Sequence, residues 1–188
     1  MPDDSLRGRY LVAADHLRDP NFFRSVVLVV EHDEKGAMGL IINRPSQVEV
    51  RQALEGHFEV PHLTEPVFEG GPVEPAALFV LHDEVELGSP EAVVLPGLFV
   101  GNDADVFGRV IEATQKTEKP QFRVFAGCAG WGPGQLEGEI ARGDWRITDA
   151  AAPSVFGDDP YEIWDRELRG AGKPHPLFPE QQGRADLN

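Results

Sequence analysis

Three side chains at the predicted ends of two strands could take part in acid and base chemistry. Glu31 and His32 follow the aliphatic run at residues 26–30, and His82 ends the apolar run at residues 77–82. A carboxylate and an imidazole that meet at one edge of a sheet can act as a general acid and base, and the same groups bind metal ions. The alternative function is therefore a hydrolase or metal-dependent enzyme centred on Glu31, His32 and His82.

The spacing of the histidines does not support a metal centre. The sequence has no His-Glu-x-x-His motif and no paired histidines, and His57 and His62 lie in a proline-rich loop. A histidine at the end of a strand is more often hydrogen-bonded to backbone. We therefore predict no metal site and no cofactor, and the sequence favours a binding protein over an enzyme.

A glycine-rich segment at residues 127–134 precedes a predicted helix that starts near Gly134 and Gln135. The first amides of a helix can hold an anion, which makes these two residues candidates for ligand binding. No Lys-Ser or Lys-Thr follows, however, and Glu137 and Glu139 place negative charge where a phosphate would lie. The segment is therefore predicted to be a packed corner between a strand and a helix.

Four other positions are candidates for contact with a ligand. Asn43 precedes a predicted helix, and Gly70 and Gly71 form a pair that permits backbone geometry closed to other residues. Polar loops on a rigid sheet also form binding surfaces. Trp131 either anchors the core or offers a flat surface for stacking. Cys128 is predicted to be a small buried thiol, because a papain-type nucleophile directly precedes its aromatic neighbour.

The strands that position these residues are predicted from runs of branched aliphatic side chains. Residues 26–30 and 38–42 predict a hairpin whose turn closes at Gly36, where a positive φ is allowed. Continuous aliphatic runs imply burial on both faces, so this hairpin should be central in the sheet. Further strands are predicted at residues 67–69, 77–82 and 122–125.

Four helices are predicted from capping residues and apolar spacing. The first starts at a capping box that begins with Ser46 and ends at Gly56, and the last spans residues 159–170. The apolar stripe of the last helix is predicted to consist of Tyr161, Trp164 and Leu168. The other two helices are predicted from a cap among residues 102–105 to residue 117 and at residues 135–142.

The composition excludes several classes of partner. Lys and Arg number 17 against 32 Asp and Glu in a chain of 188 residues, which gives a formal charge of −15. That charge repels nucleic acid and anionic membranes at long range. No apolar run approaches the ~20 residues that span a bilayer, one cysteine excludes an intramolecular disulfide, and residues 1–4 do not resemble a secretory signal. We expect a cytoplasmic protein.

Several motifs together resemble the bacterial YqgE/AlgH family, whose members are mostly uncharacterised and of which some are labelled transcriptional regulators. The resemblance covers most of the chain. The motifs are DPNFFRSVV at residues 19–27, EH at 31–32, GAMGLIINRP at 36–45, GGPV at 70–73, LH at 81–82, AGWGPGQLEGEI at 129–140, and the tryptophans Trp145 and Trp164. One departure is Cys128, where similar members typically carry an aromatic residue.

The resemblance implies an α+β fold in which a bifurcated, mostly antiparallel sheet curls into a partial barrel with helices packed outside. We expect a single domain at residues 1–172 and a loose tail at residues 173–188. The favoured function is a non-catalytic binding or regulatory protein with a protein or small-molecule partner. Direct control of transcription is disfavoured, because the chain shows no helix-turn-helix with a basic recognition helix.

Overall fold

The computed structural model describes residues 5–170, which form ten strands and five α-helices. The strands are β1 Arg9–Ala13, β2 Val26–Asp33, β3 Gly36–Ile41, β4 Pro45–Glu49, β5 Pro66–Glu69, β6 Val73–His82, β7 Val93–Leu95, β8 Leu98–Gly101, β9 Phe122–Trp131 and β10 Trp145–Asp149. The helices are α1 Val50–Ala53, α2 Ala104–Ala113, α3 Gln135–Ala141, α4 Ala152–Gly157 and α5 Ile163–Gly170, with a 3₁₀ turn at Val85–Leu87. The predicted tail at residues 173–188 lies outside the described residues, and the single-domain boundary stays a prediction.

The strands form a curled sheet that forks at β9. The order is β10-β1-β2-β3-β9-β6-β8-β7, and every neighbouring pair in this path is antiparallel. The end of β9, residues 129–131, pairs with β3, whereas residues 125–126 pair in parallel with β5, which also pairs with β4. The predicted α+β fold with a bifurcated, mostly antiparallel sheet is therefore confirmed.

The predicted central hairpin is confirmed as β2 and β3. Residues 26–30 are 0% exposed, and burial of each such aliphatic side chain stabilises the fold by about 1.5–3 kcal/mol. Asp33 pairs with Gly36, so Glu34 and Lys35 form a two-residue turn, and the Lys35 amide donates to Asp33 Oδ1 at 2.7 Å. Gly36 has φ +134, and a Cβ there would lie 2.1 Å from the carbonyl oxygen of Trp131. Only glycine therefore fits this position.

The helices cover both faces of the sheet. Side chains from alternate positions of β2 enter two different cores, because successive residues of a strand face opposite sides. One core contains α4 and α5 and reaches across β1, β2, β6 and β9. On the other face, α3 covers β1–β3, and α1 and α2 cover β6 and β9.

The prediction that the first helix starts at Ser46 is wrong. Residues 45–49 form β4, because Pro45 and Glu49 pair with β5. The capping box lies three residues later, where Glu49 accepts from the amide of Gln52 and the Gln52 side chain accepts from the amide of Glu49. Pairing with a distant strand therefore overrides the local capping signal at Ser46.

The predicted strand-to-helix corner is also placed differently. β9 continues through Gly127 to Trp131, because the edge of β3 provides backbone partners for its last three residues. The loop is thus confined to residues 132–134. Strands β1 and β10, which lie at one end of the sheet, have no counterpart in the sequence predictions.

The last helix is confirmed as α5, but it starts at Ile163 and not at Asp159, and its apolar stripe needs one correction. Trp164 is buried and Leu168 packs against the core, but Tyr161 is 78% exposed. Tyr161 lies in the turn before α5, where its amide donates to Asp159 Oδ1 at 2.8 Å. Among the helices at residues 5–170, none is long and apolar enough to cross a membrane.

Candidate functional site

Both ring nitrogens of His32 are hydrogen-bonded. The Leu6 amide donates to Nδ1 at 3.0 Å, and Nε2 lies 2.8 Å from Oε1 of Glu137 in α3. Because Nδ1 accepts a hydrogen bond, we assign the proton of the neutral ring to Nε2, which donates to the carboxylate. The Ser5 hydroxyl also donates to the His32 carbonyl at 3.1 Å. His32 in β2 is therefore connected by hydrogen bonds to residues 5–6 and to helix α3.

The partner carboxylate of His32 is more accessible than the histidine. The side chain of Glu137 is 40% exposed, whereas that of His32 is 9% exposed. Burial raises the pKa of Glu137, but hydrogen bonds from His32 and from backbone lower it, so that the pKa lies below its usual value of 4.5. Glu137 at neutral pH is thus a carboxylate that accepts the hydrogen bond from His32.

The structure does not bring His82 to His32, so the predicted convergence of the two histidines is wrong. Ala37 of β3 pairs with both His32 and Trp131 at the end of β9, whereas His82 pairs with Phe122 at its start. Nine residues of β9 separate the two positions, which is about 30 Å along an extended strand. Because β2 and β6 run in opposite directions, the last residues of β2 lie near the end of β9 and those of β6 lie near its start.

His82 is 1% exposed and stacks on Phe99, with ring centroids 5.5 Å apart. Burial lowers its pKa, which favours the neutral ring. Its Nδ1 has no hydrogen-bond partner within residues 5–170. Glu31, the third candidate for catalysis, is exposed at the end of β2. Glu31, His32 and His82 therefore do not form one catalytic centre.

Trp131 is an anchor of the core, held by a carboxylate that also binds a second indole. Oε2 of Glu139 accepts from Nε1 of Trp131 and from Nε1 of Trp145, each at 2.8 Å. Both indoles pack against Phe22, with ring centroids 6.0 and 5.3 Å away. Gln135 completes this network, because it donates to Glu139 Oε1 at 3.0 Å and accepts from the Gly132 amide at 3.0 Å. We call Glu139, Trp131 and Trp145 the indole clamp.

Asn43 binds the backbone of the neighbouring loop. Its Oδ1 accepts from the Val26 amide at 2.9 Å, and its Nδ2 donates to the Arg24 carbonyl at 2.9 Å. Arg24 has a positive φ of 53, which is unusual for a residue other than glycine. Both polar atoms of the Asn43 amide are thus used to hold residues 24–26.

Arg44, the neighbour of Asn43, fixes the same loop. Its guanidinium donates to the carbonyls of Asn21 at 2.5 Å and Phe23 at 2.9 Å. Burial lowers the pKa of Arg44 from its usual value of 12.5, but the side chain stays charged at neutral pH. Asn43 and Arg44 together therefore hold residues 19–25, which carry the DPNFFRS motif, through hydrogen bonds to their backbone carbonyls.

The three glycine candidates occupy backbone positions and leave little room for a ligand. Gly70 lies at the fork, where its carbonyl accepts from the Ile41 amide at 2.9 Å and its amide donates to the Ala126 carbonyl at 2.8 Å. A Cβ on Gly70 or Gly71 would approach the backbone of β9 to 2.2 and 2.3 Å. Gly134 has φ 72 and precedes α3, which has only seven residues.

A half-buried arginine, which the sequence analysis did not single out, lies within β9. Arg123 donates to the carbonyls of Val155 at 2.5 Å and Phe156 at 3.1 Å, and its guanidinium carbon lies 4.1 Å from the ring centroid of Phe68. Burial lowers its pKa to about 10. A charged residue inside a predicted buried strand was the signal that could have identified it. Arg123 therefore donates hydrogen bonds to two carbonyls near the end of α4 and holds that helix against the sheet.

A second group that sequence reasoning missed lies on the surface. Arg18 and Arg24 place their guanidinium carbons 5.9 and 5.6 Å from the ring centroid of Phe23, and Arg24 also lies 4.9 Å from that of Trp164. Phe23 is 42% exposed. We call Arg18, Phe23 and Arg24 the arginine patch. The only signal in the sequence was the loose pairing of two basic residues around the DPNFF motif.

The candidate residues at 5–170 form no metal cluster, and the groove beside α1 lies apart from them. Within residues 5–170, no group of three or more His, Cys, Asp or Glu side chains is arranged to hold a metal ion. A groove of about 670 Å³ follows α1 and is lined by residues 51–52 and 55–61. It contains none of the candidates, so its position supports neither the catalytic nor the ligand-binding predictions.

The forked, curled sheet with helices on both faces defines an α+β class of protein, in which His32, Asn43 and Gln135 bind other side chains or backbone. Residues 10–175 match a family model described as AlgH-like, and the chain belongs to that family. The resemblance to the YqgE/AlgH family is thereby confirmed.

Similar proteins occur in several bacteria. A UPF0301 protein of Myxococcus xanthus is 44% identical over 165 residues, which cover 86% of this chain and 88% of the relative. A UPF0301 protein of Chlorobaculum tepidum is 38% identical over 165 residues, covering 88% and 86%. The solution structure of AlgH from Pseudomonas aeruginosa is similar with a TM-score of 0.74, 30% identity and coverage of 98% of each chain. A crystal structure from Corynebacterium diphtheriae gives 0.72, 26% identity, and coverage of 93% and 91%.

Proposed function

We propose that this protein is a non-catalytic binding protein that acts in regulation through contact with another protein. The observation that carries the proposal is the state of His32, the side chain best suited to proton transfer. One ring nitrogen accepts from the Leu6 amide and the other donates to Glu137. A general base needs a nitrogen within hydrogen-bond reach of a substrate proton, and both positions are occupied.

The other polar candidates support the same proposal. The Glu139 carboxylate accepts from two indoles and Gln135, and the Asn43 amide binds two backbone groups. Each contact stabilises the fold and uses the lone pairs or protons that chemistry on a substrate would need. The enzyme alternative loses its main support, because His82 lies at the other edge of the sheet from His32.

Regulation through protein contact also agrees with the charge of the chain. A formal charge of −15 opposes close approach to DNA, so control of transcription, if the family label applies here, would act through a protein intermediary. We place this activity in the cytoplasm. That location agrees with the single cysteine of the chain, because secreted domains more often carry several cysteines in disulfides.

A binding experiment tests the proposal. The full chain with an affinity tag is incubated with lysate of the producing cell, beside an unrelated protein of similar size and charge. Proteins retained only by the full chain are purified and titrated against it by calorimetry. The proposal requires saturable binding with a fixed stoichiometry. Retention no different from that on the control protein would overturn it.

A further inference from the structure

We infer that the arginine patch docks an acidic segment of a partner protein, with a carboxylate bound by Arg18 and Arg24 and an apolar side chain packed on Phe23. This inference rests on the proposed function, because it assigns a surface and a partner chemistry to the binding that we propose. It follows from three properties of the patch: its arginines have no ionic partner among residues 5–170, its ring is exposed, and its backbone is held by hydrogen bonds.

The charge of the patch is unusual for this chain. Nine of the twelve arginines at residues 5–170 place their side chain in an ion pair or a hydrogen bond. Within residues 5–170, Arg18 and Arg24 nevertheless form neither an ion pair nor a side-chain hydrogen bond, whereas Arg9, Arg142 and Arg166 all bind carboxylates. Two exposed guanidinium groups next to one ring therefore have N–H donors that no residue in the described part of the chain uses.

The position of the two guanidinium groups over the Phe23 ring decides which chemistry they can recognise. A guanidinium in a cation–π contact keeps its N–H donors, which can form a bidentate pair with a carboxylate. Phe23 is 42% exposed between the two arginines and offers apolar area beside the charge. The combination of an aromatic anchor and arginine is typical of the residues that dominate the affinity of protein interfaces.

The backbone of the patch is held rigidly before any partner arrives. The Asp19 carbonyl accepts from the amides of Phe22 at 3.0 Å and Phe23 at 2.7 Å, which forms a tight turn. Asn43 donates to the carbonyl of Arg24, and Arg44 donates to the carbonyl of Phe23. A surface that is already ordered loses less conformational entropy on binding, and this favours affinity.

Other occupants fit the patch less well. Nucleic acid binding needs many phosphate contacts, whereas the patch has two arginines in a chain of charge −15. A second copy of the chain would bring the same full charge to the interface, whereas a partner with one acidic segment brings charge only where the arginines lie. Because salt screens charge beyond about 8 Å at physiological ionic strength, the local positive patch can dominate over the distant acidic surface.

The experiment uses three forms of the full chain. These are the wild type, the R18E/R24E double variant, and the R109E variant as the matched control. Arg109 is exposed on α2, which packs on the other half of the sheet. Circular dichroism and a thermal melt verify that each form is folded. Retained proteins are identified after nuclease treatment and then titrated in purified form, at low and at high salt.

We expect a retained protein to bind the wild type and R109E equally and to bind R18E/R24E about 30-fold more weakly, as is typical when interface arginines are lost. Replacing the acidic residues of its bound segment with lysine should restore binding to R18E/R24E. Equal binding to all three forms overturns the docking site and leaves the proposed function intact. Retention that nuclease abolishes, or self-association of the wild type that R18E/R24E abolishes, also overturns it. Retention of no protein overturns both proposals.

Discussion

Replacement of Glu139 with alanine tests the indole clamp. The two indoles are 6% and 3% exposed, and the substitution removes the acceptor of both N–H groups. A buried donor left without a partner costs about 1–3 kcal/mol, which gives about 2–6 kcal/mol for two donors. Because Glu139 is only half-buried, water can reach part of the space, and we expect a loss of about 2–4 kcal/mol in the free energy of unfolding.

Glu139→Gln separates the charge from the hydrogen bonds. The glutamine oxygen can still accept from the indoles, but its amide then faces the donating amide of Gln135. We expect a smaller loss of about 1–2 kcal/mol.

Urea unfolding followed by tryptophan fluorescence and far-UV circular dichroism gives the free energies of the Glu139 variants. Glu112→Ala is the control, because Glu112 is exposed on a helix and should change stability by no more than about 0.5 kcal/mol. If Glu139→Ala is no less stable than Glu112→Ala, the reasoning about the indole clamp is refuted.

Three further predictions concern separate parts of the molecule. The folded-state pKa of Glu137 lies below 4.5, so the stability that its carboxylate contributes is present above pH 4.5 and is lost as the pH falls further. The difference in free energy of unfolding between the wild type and Glu137→Gln should therefore shrink between pH 6 and pH 3 in urea titrations. A constant difference would contradict the role of the hydrogen bond between His32 and Glu137. Burial raises the pKa of Cys128, which is 3% exposed, so a thiol reagent at pH 7 should label the native protein far more slowly than the urea-unfolded chain, and equal rates would show that the thiol is accessible. Gly36→Ala should lower the free energy of unfolding by about 3 kcal/mol or more, or prevent folding. Gly97 also has a positive φ of +78 but has open space around it, so Gly97→Ala should lower the free energy of unfolding by only about 1 kcal/mol. Similar thermal melts for the two variants would contradict the close approach of Gly36 to β9.

Local signals in the sequence were sufficient where neighbouring residues determine the structure. The β2–β3 hairpin depends on a continuous aliphatic run, a polar turn and a glycine with positive φ, and all three lie within sixteen residues of one another at 26–41. The stripe of α5 was predicted correctly at Trp164 and Leu168 for the same reason. The prediction that Tyr161 belongs to this stripe was wrong, because Tyr161 lies in the turn before the helix.

Distant contacts decided the parts that sequence reasoning missed. The length of β9 depends on pairing with β3, which is about 90 residues away in the chain. Similarly, His32 meets Glu137 across 105 positions, and nothing in the spacing of the two residues indicates this contact. Whether His32 and His82 share an edge depends on the directions of β2 and β6, and these follow only from the complete strand order.

Turnover by the purified full chain decides between a binding protein and an enzyme. A panel of esters, phosphoesters, amides and glycosides is followed by NMR with the wild type, with His32→Asn and with Glu31→Gln, each verified as folded by circular dichroism. We expect no turnover above the protein-free blank for any of the three proteins. Turnover by the wild type that either substitution abolishes would contradict the claim that these residues stabilise a binding protein.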